Sequence, residues 1–120
     1  MNDPADLPPL GPVRPVPAPL VSISTLPNGL TVQVAPREGV PVVTIRLVTR
    51  GGMSDDPASS PGLARLLAQG LREGTRTRTG AELADLAQEA GGDLYSGAGP
   101  DSLTIAASGL ATRFELLLDL

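Results

Sequence analysis

The chain has 120 residues, a formal net charge of −4, and neither Cys, His nor Trp. That inventory excludes a disulfide framework, a thiolate metal site and a cysteine nucleophile, and it removes the commonest general base and metal ligand. All nine cations are Arg, so lysine Schiff-base and phosphate-loop chemistry are absent too, the acidic balance argues against a nucleic-acid partner, and catalysis by this chain alone is not expected. The length suits one domain, and with a single Tyr and a single Phe the core has to be built from Leu, Val, Ile and Ala. No apolar run approaches the roughly 20 residues that span a bilayer. The first twenty residues lack the cationic start and apolar stretch of a signal peptide, so the reading is a cytoplasmic chain with no membrane partner.

In chain order, residues 1–20 hold seven of the thirteen prolines, which denies donors to any ladder and predicts an extended, disordered leader. Pro9, Pro12 and Pro15 stand in PxxP spacing, but a solvated tail is the plainer reading. From Val21 the pattern alternates: Val21, Ile23 and Thr25, then Pro27-Asn28-Gly29, then Leu30, Val32 and Val34, which predicts a hairpin. After a turn over Pro36 to Gly39, the β-branched run Val40 to Thr49 predicts a strand lying deeper in the same sheet, ended by Gly51-Gly52. Met53 to Ser60 reads as a loop, with Ser60 as N-cap and Pro61 at the first position of a helix running to Arg72. Leu63, Leu66, Leu67 and Leu71 form its apolar face, and Arg65, Ala68, Gln69 and Arg72 the other, read by itself as solvated. Thr79 and Glu82 make a capping box for a second helix through Leu83, Leu86, Ala87 and Ala90, stopped at Gly91-Gly92. Leu94 to Gly97 and Leu103 to Ala107 read as strands around Gly99, Pro100 and Asp101. Thr112 and Glu115 repeat the capping box before Phe114, Leu117 and Leu118.

This order predicts an α+β fold, an antiparallel or mixed sheet with helices packed on one face. Because the last helix is still running at Leu120, residues 21–120 are expected to be the first portion of a larger domain. Gly97-Ala98-Gly99 is not a phosphate loop, since no Lys follows it.

From Leu26 to Leu120 the sequence resembles the N-terminal domain of the peptidase M16 family, the insulinase, pitrilysin and mitochondrial-processing-peptidase group of inverzincins. The resemblance is carried by Leu26-Pro27-Asn28-Gly29-Leu30-Thr31-Val32, by Arg50-Gly51-Gly52-Met53-Ser54-Asp55-Asp56-Pro57, by Pro61-Gly62-Leu63-Ala64 through Leu71 to Gly74-Thr75, and by Gly91-Gly92-Asp93-Leu94. It implies an H-x-x-E-H zinc motif in the first helix, two His one turn apart binding the metal and a Glu acting on the attacking water. Register places those three at Arg65, Ala68 and Gln69, so the motif is degenerate and this chain is expected to hold neither metal nor cofactor, zinc belonging to an active partner. The same resemblance turns that helix face toward a catalytic chamber, where Arg65 and Arg72 would attract acidic groups, and gives Tyr95, Ser96 and Gly97 a place on a strand edge that pairs with extended substrate. The single Tyr95 reads equally as a ring packed on the core.

The function implied is a non-catalytic M16 homologue, the structural and substrate-binding partner of an active M16 subunit or second M16 domain. Two alternatives stay open: part of a zinc metalloendopeptidase whose active motif lies outside this chain, and a purely structural subunit similar to the M16 members of respiratory-complex cores.

Overall fold

The computed structural model describes residues 11 and 18–120, so the proline-rich leader and its PxxP spacings lie almost wholly outside the described residues. The chain divides into two compact units, Met1–Gly39 and Val40–Leu120.

The first unit is a hairpin of β1 (Ser22–Thr25) and β2 (Thr31–Val34), antiparallel, with Ile23 opposite Gln33 and Thr25 opposite Thr31. Its loop is Pro27-Asn28-Gly29. The Gly29 N–H donates to the Leu26 carbonyl at 2.9 Å, the Leu26 N–H to the Leu30 carbonyl at 2.9 Å, and the Leu30 N–H to Asn28 Oδ1 at 3.0 Å. Only Gly29 takes positive φ (84°), so the sharp reversal rests on glycine while Asn28 stitches the exit with its side chain.

The second unit is a three-stranded antiparallel sheet with three helices on one face. In chain order it comprises β3 (Val42–Arg50), a 3₁₀ turn over Met53–Asp55, α1 (Leu63–Gly70), α2 (Gly80–Glu89), β4 (Asp93–Ala98), β5 (Ser102–Leu110), a second 3₁₀ turn over Ala111–Arg113, and α3 (Phe114–Asp119). The strand order is β3-β5-β4. This corrects the expected placement of the Val40 to Thr49 strand. It forms an edge of the three-stranded sheet and does not lie deep within it, because alternation specified the faces of the strand but not its neighbours.

Register assigns the two faces. Ile45, Ala107 and Leu94 stand abreast, as do Ser96 and Ile105, and this side carries the helices: Ala90, Ala107 and Leu117 form a buried cluster against which Val43, Ile45, Leu94, Leu116 and Leu120 pack. Arg46, Ala106 and Tyr95 stand abreast on the opposite side. The core is small and rich in alanine, with Leu83 its largest fully buried side chain. Leu, Val, Ile and Ala supply all of it, as composition requires.

α2 is bounded as expected. Thr79 Oγ1 accepts from the Glu82 N–H and Glu82 Oε2 from the Thr79 N–H at 2.7 Å. At the other end the Gly91 N–H donates to the Gln88 carbonyl and the Gly92 N–H to the Ala87 carbonyl, the paired bonds that close a helix through glycine. Gly92 then meets β5 so closely that a Cβ there would stand 1.7 Å from the Ser108 carbonyl oxygen.

Two expected caps are corrected. α1 starts at Leu63, not Pro61, and Ser60 does not cap it: Gly62 is the N-cap residue, at φ 90°, and the cap itself is remote. α3 has no side-chain cap, because Thr112 lies within the 3₁₀ turn that leaves β5, a turn tied down by the Ala111 N–H to the Pro41 carbonyl at 2.9 Å. Arg78 binds the far end of α3, donating to the Asp119 carbonyl at 2.8 Å and pairing with its carboxylate. No helix among the described residues is long and apolar enough to cross a membrane.

Candidate functional site

Arg65, Ala68 and Gln69, the residues that the resemblance assigns to the motif, lie on α1, whose start is fixed by Asp56. Its Oδ2 accepts from the Gly62 N–H at 2.7 Å and its Oδ1 from the Ala64 N–H at 2.8 Å. One carboxylate thus satisfies two of the donors that a helix start leaves unpaired, and places negative charge at the positive end of the helix. No local pattern marks Asp56 as a cap, since it stands six residues before the N-cap position.

α1 is seated the other way round from its leucine pattern. Ala68 is buried at 2% exposure, while Leu66 and Leu67 are 65% and 55% exposed. The face expected to be solvated is in part the face that meets the sheet. Ser96 Oγ, itself buried, donates to the Ala68 carbonyl at 2.5 Å, so β4 holds α1 by its backbone at the middle motif position. Small side chains at Ala64 and Ala68, one turn apart, permit that approach; this is the signal the leucines obscured. Arg65, Gln69 and Arg72 remain exposed.

The structure therefore brings Ala68 and Ser96 together and leaves Tyr95 and Gly97 on the opposite side of the sheet. β4 pairs only with β5 among the described strands. The Gly99 N–H donates to the Ser102 carbonyl at 2.8 Å, and antiparallel alternation from that pair directs the backbone groups of Tyr95 and Gly97 to β5, and those of Leu94, Ser96 and Ala98 to the free edge. The Leu94 N–H is taken by Asp93 Oδ1 at 2.8 Å. What β4 presents sideways is thus the N–H and C=O of Ser96 and Ala98, with the Ser96 side chain committed to α1.

The turn beyond β4 is braced. The Met53 and Ser54 N–H groups donate to the Gly99 and Pro100 carbonyls at 2.9 Å each, and a Cβ on Gly52 would lie 2.4 Å from both of those oxygens. Gly51-Gly52 is where one loop lies flat on another.

The side chains of Arg65, Ala68 and Gln69, where the resemblance would put the motif, do not fit zinc. A guanidinium has no lone pair to give, a methyl neither binds metal nor moves a proton, and a side-chain amide is a poor ligand beside imidazole or carboxylate.

No family model matches the chain, and no curated protein matches it. Thirty-two chains of solved structures do. Among them is the crystal structure of a peptidase M16 inactive domain from Pseudomonas fluorescens, 27% identical, with a TM-score of 0.73 over 82% of this chain. The chain spans 24% of that neighbour's length. The fold is that of a peptidase M16-like domain, α+β with antiparallel strands.

Proposed function

We propose that the chain is a member of the peptidase M16 family that has lost catalysis, and that it serves as the structural and substrate-binding partner of a zinc metallopeptidase. One observation supports this reading: the fold is like that of an M16 inactive domain, and Ala68, which the resemblance reads as the position of the motif's Glu, is packed under β4. A chamber made from two similar halves needs metal in only one. In this reading zinc sits in the active partner, the chain carries no cofactor, it works in the cytoplasm, and residues 21–120 are the first portion of a longer domain. The open edge of β4 would take an extended peptide by backbone pairing at Ser96 and Ala98, which needs no particular side chain from either party. Neither a membrane nor a nucleic acid is a partner.

Native capture of the protein from its source cells, with intact-mass measurement of the protein and of what accompanies it, tests the reading. The expected result is a chain longer than 120 residues bound to a second chain carrying H-x-x-E-H. An intact motif in the same polypeptide would overturn the partner role in favour of a peptidase whose active site lies outside this segment. Capture of the protein alone would overturn it in favour of a structural subunit.

A further inference from the structure

The side of the sheet away from the helices carries a trough of about 390 Å³, walled by Arg46 and Tyr95, with Ser102 and Thr104 along it and Ala98-Gly99 at its end. Register explains the shape. Arg46, Ala106 and Tyr95 form one rank across the three strands, and Val48, Thr104 and Gly97 the next. Ala106, with only a methyl group, leaves the arginine and the tyrosine facing each other across β5. Gly97 has no side chain at all, and a Cβ there would stand 2.3 Å from the Tyr95 hydroxyl. The ring therefore lies down along β4, and its hydroxyl sits above the Gly97 backbone.

The chemistry of the lining has one sign. The two ion pairs among the described residues, Arg78–Asp119 and Arg113–Glu89, leave Arg46 out, and no carboxylate lines the trough. Arg50 stands on the same side, opposite Ser102, but does not line the trough, so Arg46 is its one cation among the described residues. Asp93, the acidic residue of β4, has one carboxylate oxygen committed to the Leu94 N–H. A planar guanidinium beside three hydroxyls offers donors in the arrangement a carboxylate accepts.

We propose that this trough takes the carboxylate of a Glu side chain on a peptide paired along the free edge of β4. The inference rests on the peptide-binding reading above and adds a sequence preference to it. Neighbouring strands stand about 4.8 Å apart, so an added strand lies three spacings from β3. An extended glutamate on the added strand and Arg46 on β3 approach each other from the two sides of the trough, and the Tyr95 hydroxyl, lying above Gly97 between them, is a second donor. Backbone pairing supplies affinity without sequence, and Arg46 selects one acidic position.

The test is binding of short, extended, fluorescently labelled peptides, identical except for Glu, Gln or Lys placed at each position in turn, to the wild type and to Arg46→Gln. Arg46 is exposed, so the variant keeps the fold, and its unchanged thermal transition documents this. The expected result is one position at which Glu binds about two- to fivefold more tightly than Gln, with Lys weaker still. That preference shrinks with added salt and vanishes in Arg46→Gln. Binding without charge preference, or a preference that survives Arg46→Gln, overturns the proposal while leaving peptide binding intact. Failure of every peptide to bind overturns the peptide-binding reading itself.

Discussion

Asp56 and Glu82 both cap a helix with a carboxylate, and only one of them is visible from its neighbours in sequence. Thr79 and Glu82 stand at capping-box spacing and make the box; Thr112 and Glu115 stand at the same spacing and do not, because the 3₁₀ turn has already curled the backbone at Thr112. A spacing reports that a cap is possible, and the path of the chain before it decides. Replacing Asp56 by Ala leaves the Gly62 and Ala64 N–H groups without their acceptor and is expected to cost about 1–2 kcal/mol. Urea unfolding of the variant checks this, and an unchanged midpoint would show that water replaces the carboxylate without loss. For Glu82, the backbone N–H of Thr79, then its hydroxyl, then the Arg78 charge hold the carboxyl below its ordinary value. Its contribution is present above the carboxyl's unfolded value and is lost as the pH falls through the lower folded one. Thermal melting of wild type and Glu82→Gln should therefore differ most near neutrality and converge on strong acidification. A constant offset at all pH values would count against this linkage.

At the scale of elements, α1 shows how a strong pattern points to the wrong face. Leu63, Leu66, Leu67 and Leu71 recur at helical spacing and are all exposed, whereas Ala68 is buried. Hydrophobic periodicity identifies a helix and a stripe, but close approach to a sheet selects small residues, and Ser96 Oγ fixes the choice by binding the Ala68 carbonyl. Substituting Leu66 or Leu67 with Gln in this chain is thus expected to change stability by less than about 0.5 kcal/mol. Ala68→Leu, forced against β4, should cost about 1–3 kcal/mol. The reverse ranking in denaturant melts would mean that α1 is held by its leucine stripe. The strands were legible in type because β-branched and alternating runs announce them; β3 was misplaced because no residue within it names its partner.

For the whole molecule, the layer arrangement followed from element order, since two helices preceding a hairpin and a third following it cover one face of a small sheet. The reading of Arg65, Ala68 and Gln69 as a degenerate motif rests on family resemblance alone, as those residues by themselves describe an ordinary helix. The trough was not legible at all. Arg46, Tyr95 and Thr104 lie on three different strands, and only the register of β5 with both neighbours brings them together. The leucines of α1 and the exposed Val42, Val48, Phe114 and Leu118 leave apolar area on the surface of this chain.

The central position of β5 also sets an order of events during synthesis. β4 and β5 are joined by a short turn and pair locally, but Arg50 pairs with Ser102 and Val42 with Leu110, so β3 leaves the ribosome about fifty residues before its partner. At about 5–20 residues per second that is a wait of several seconds, during which a nine-residue β-branched segment has no ladder to join. Closing so long a loop makes the β3 pairing the slow step of the sheet. The nascent chain is most exposed to misassociation in the interval before β5 emerges, a window that codon choice or a chaperone holding β3 would govern.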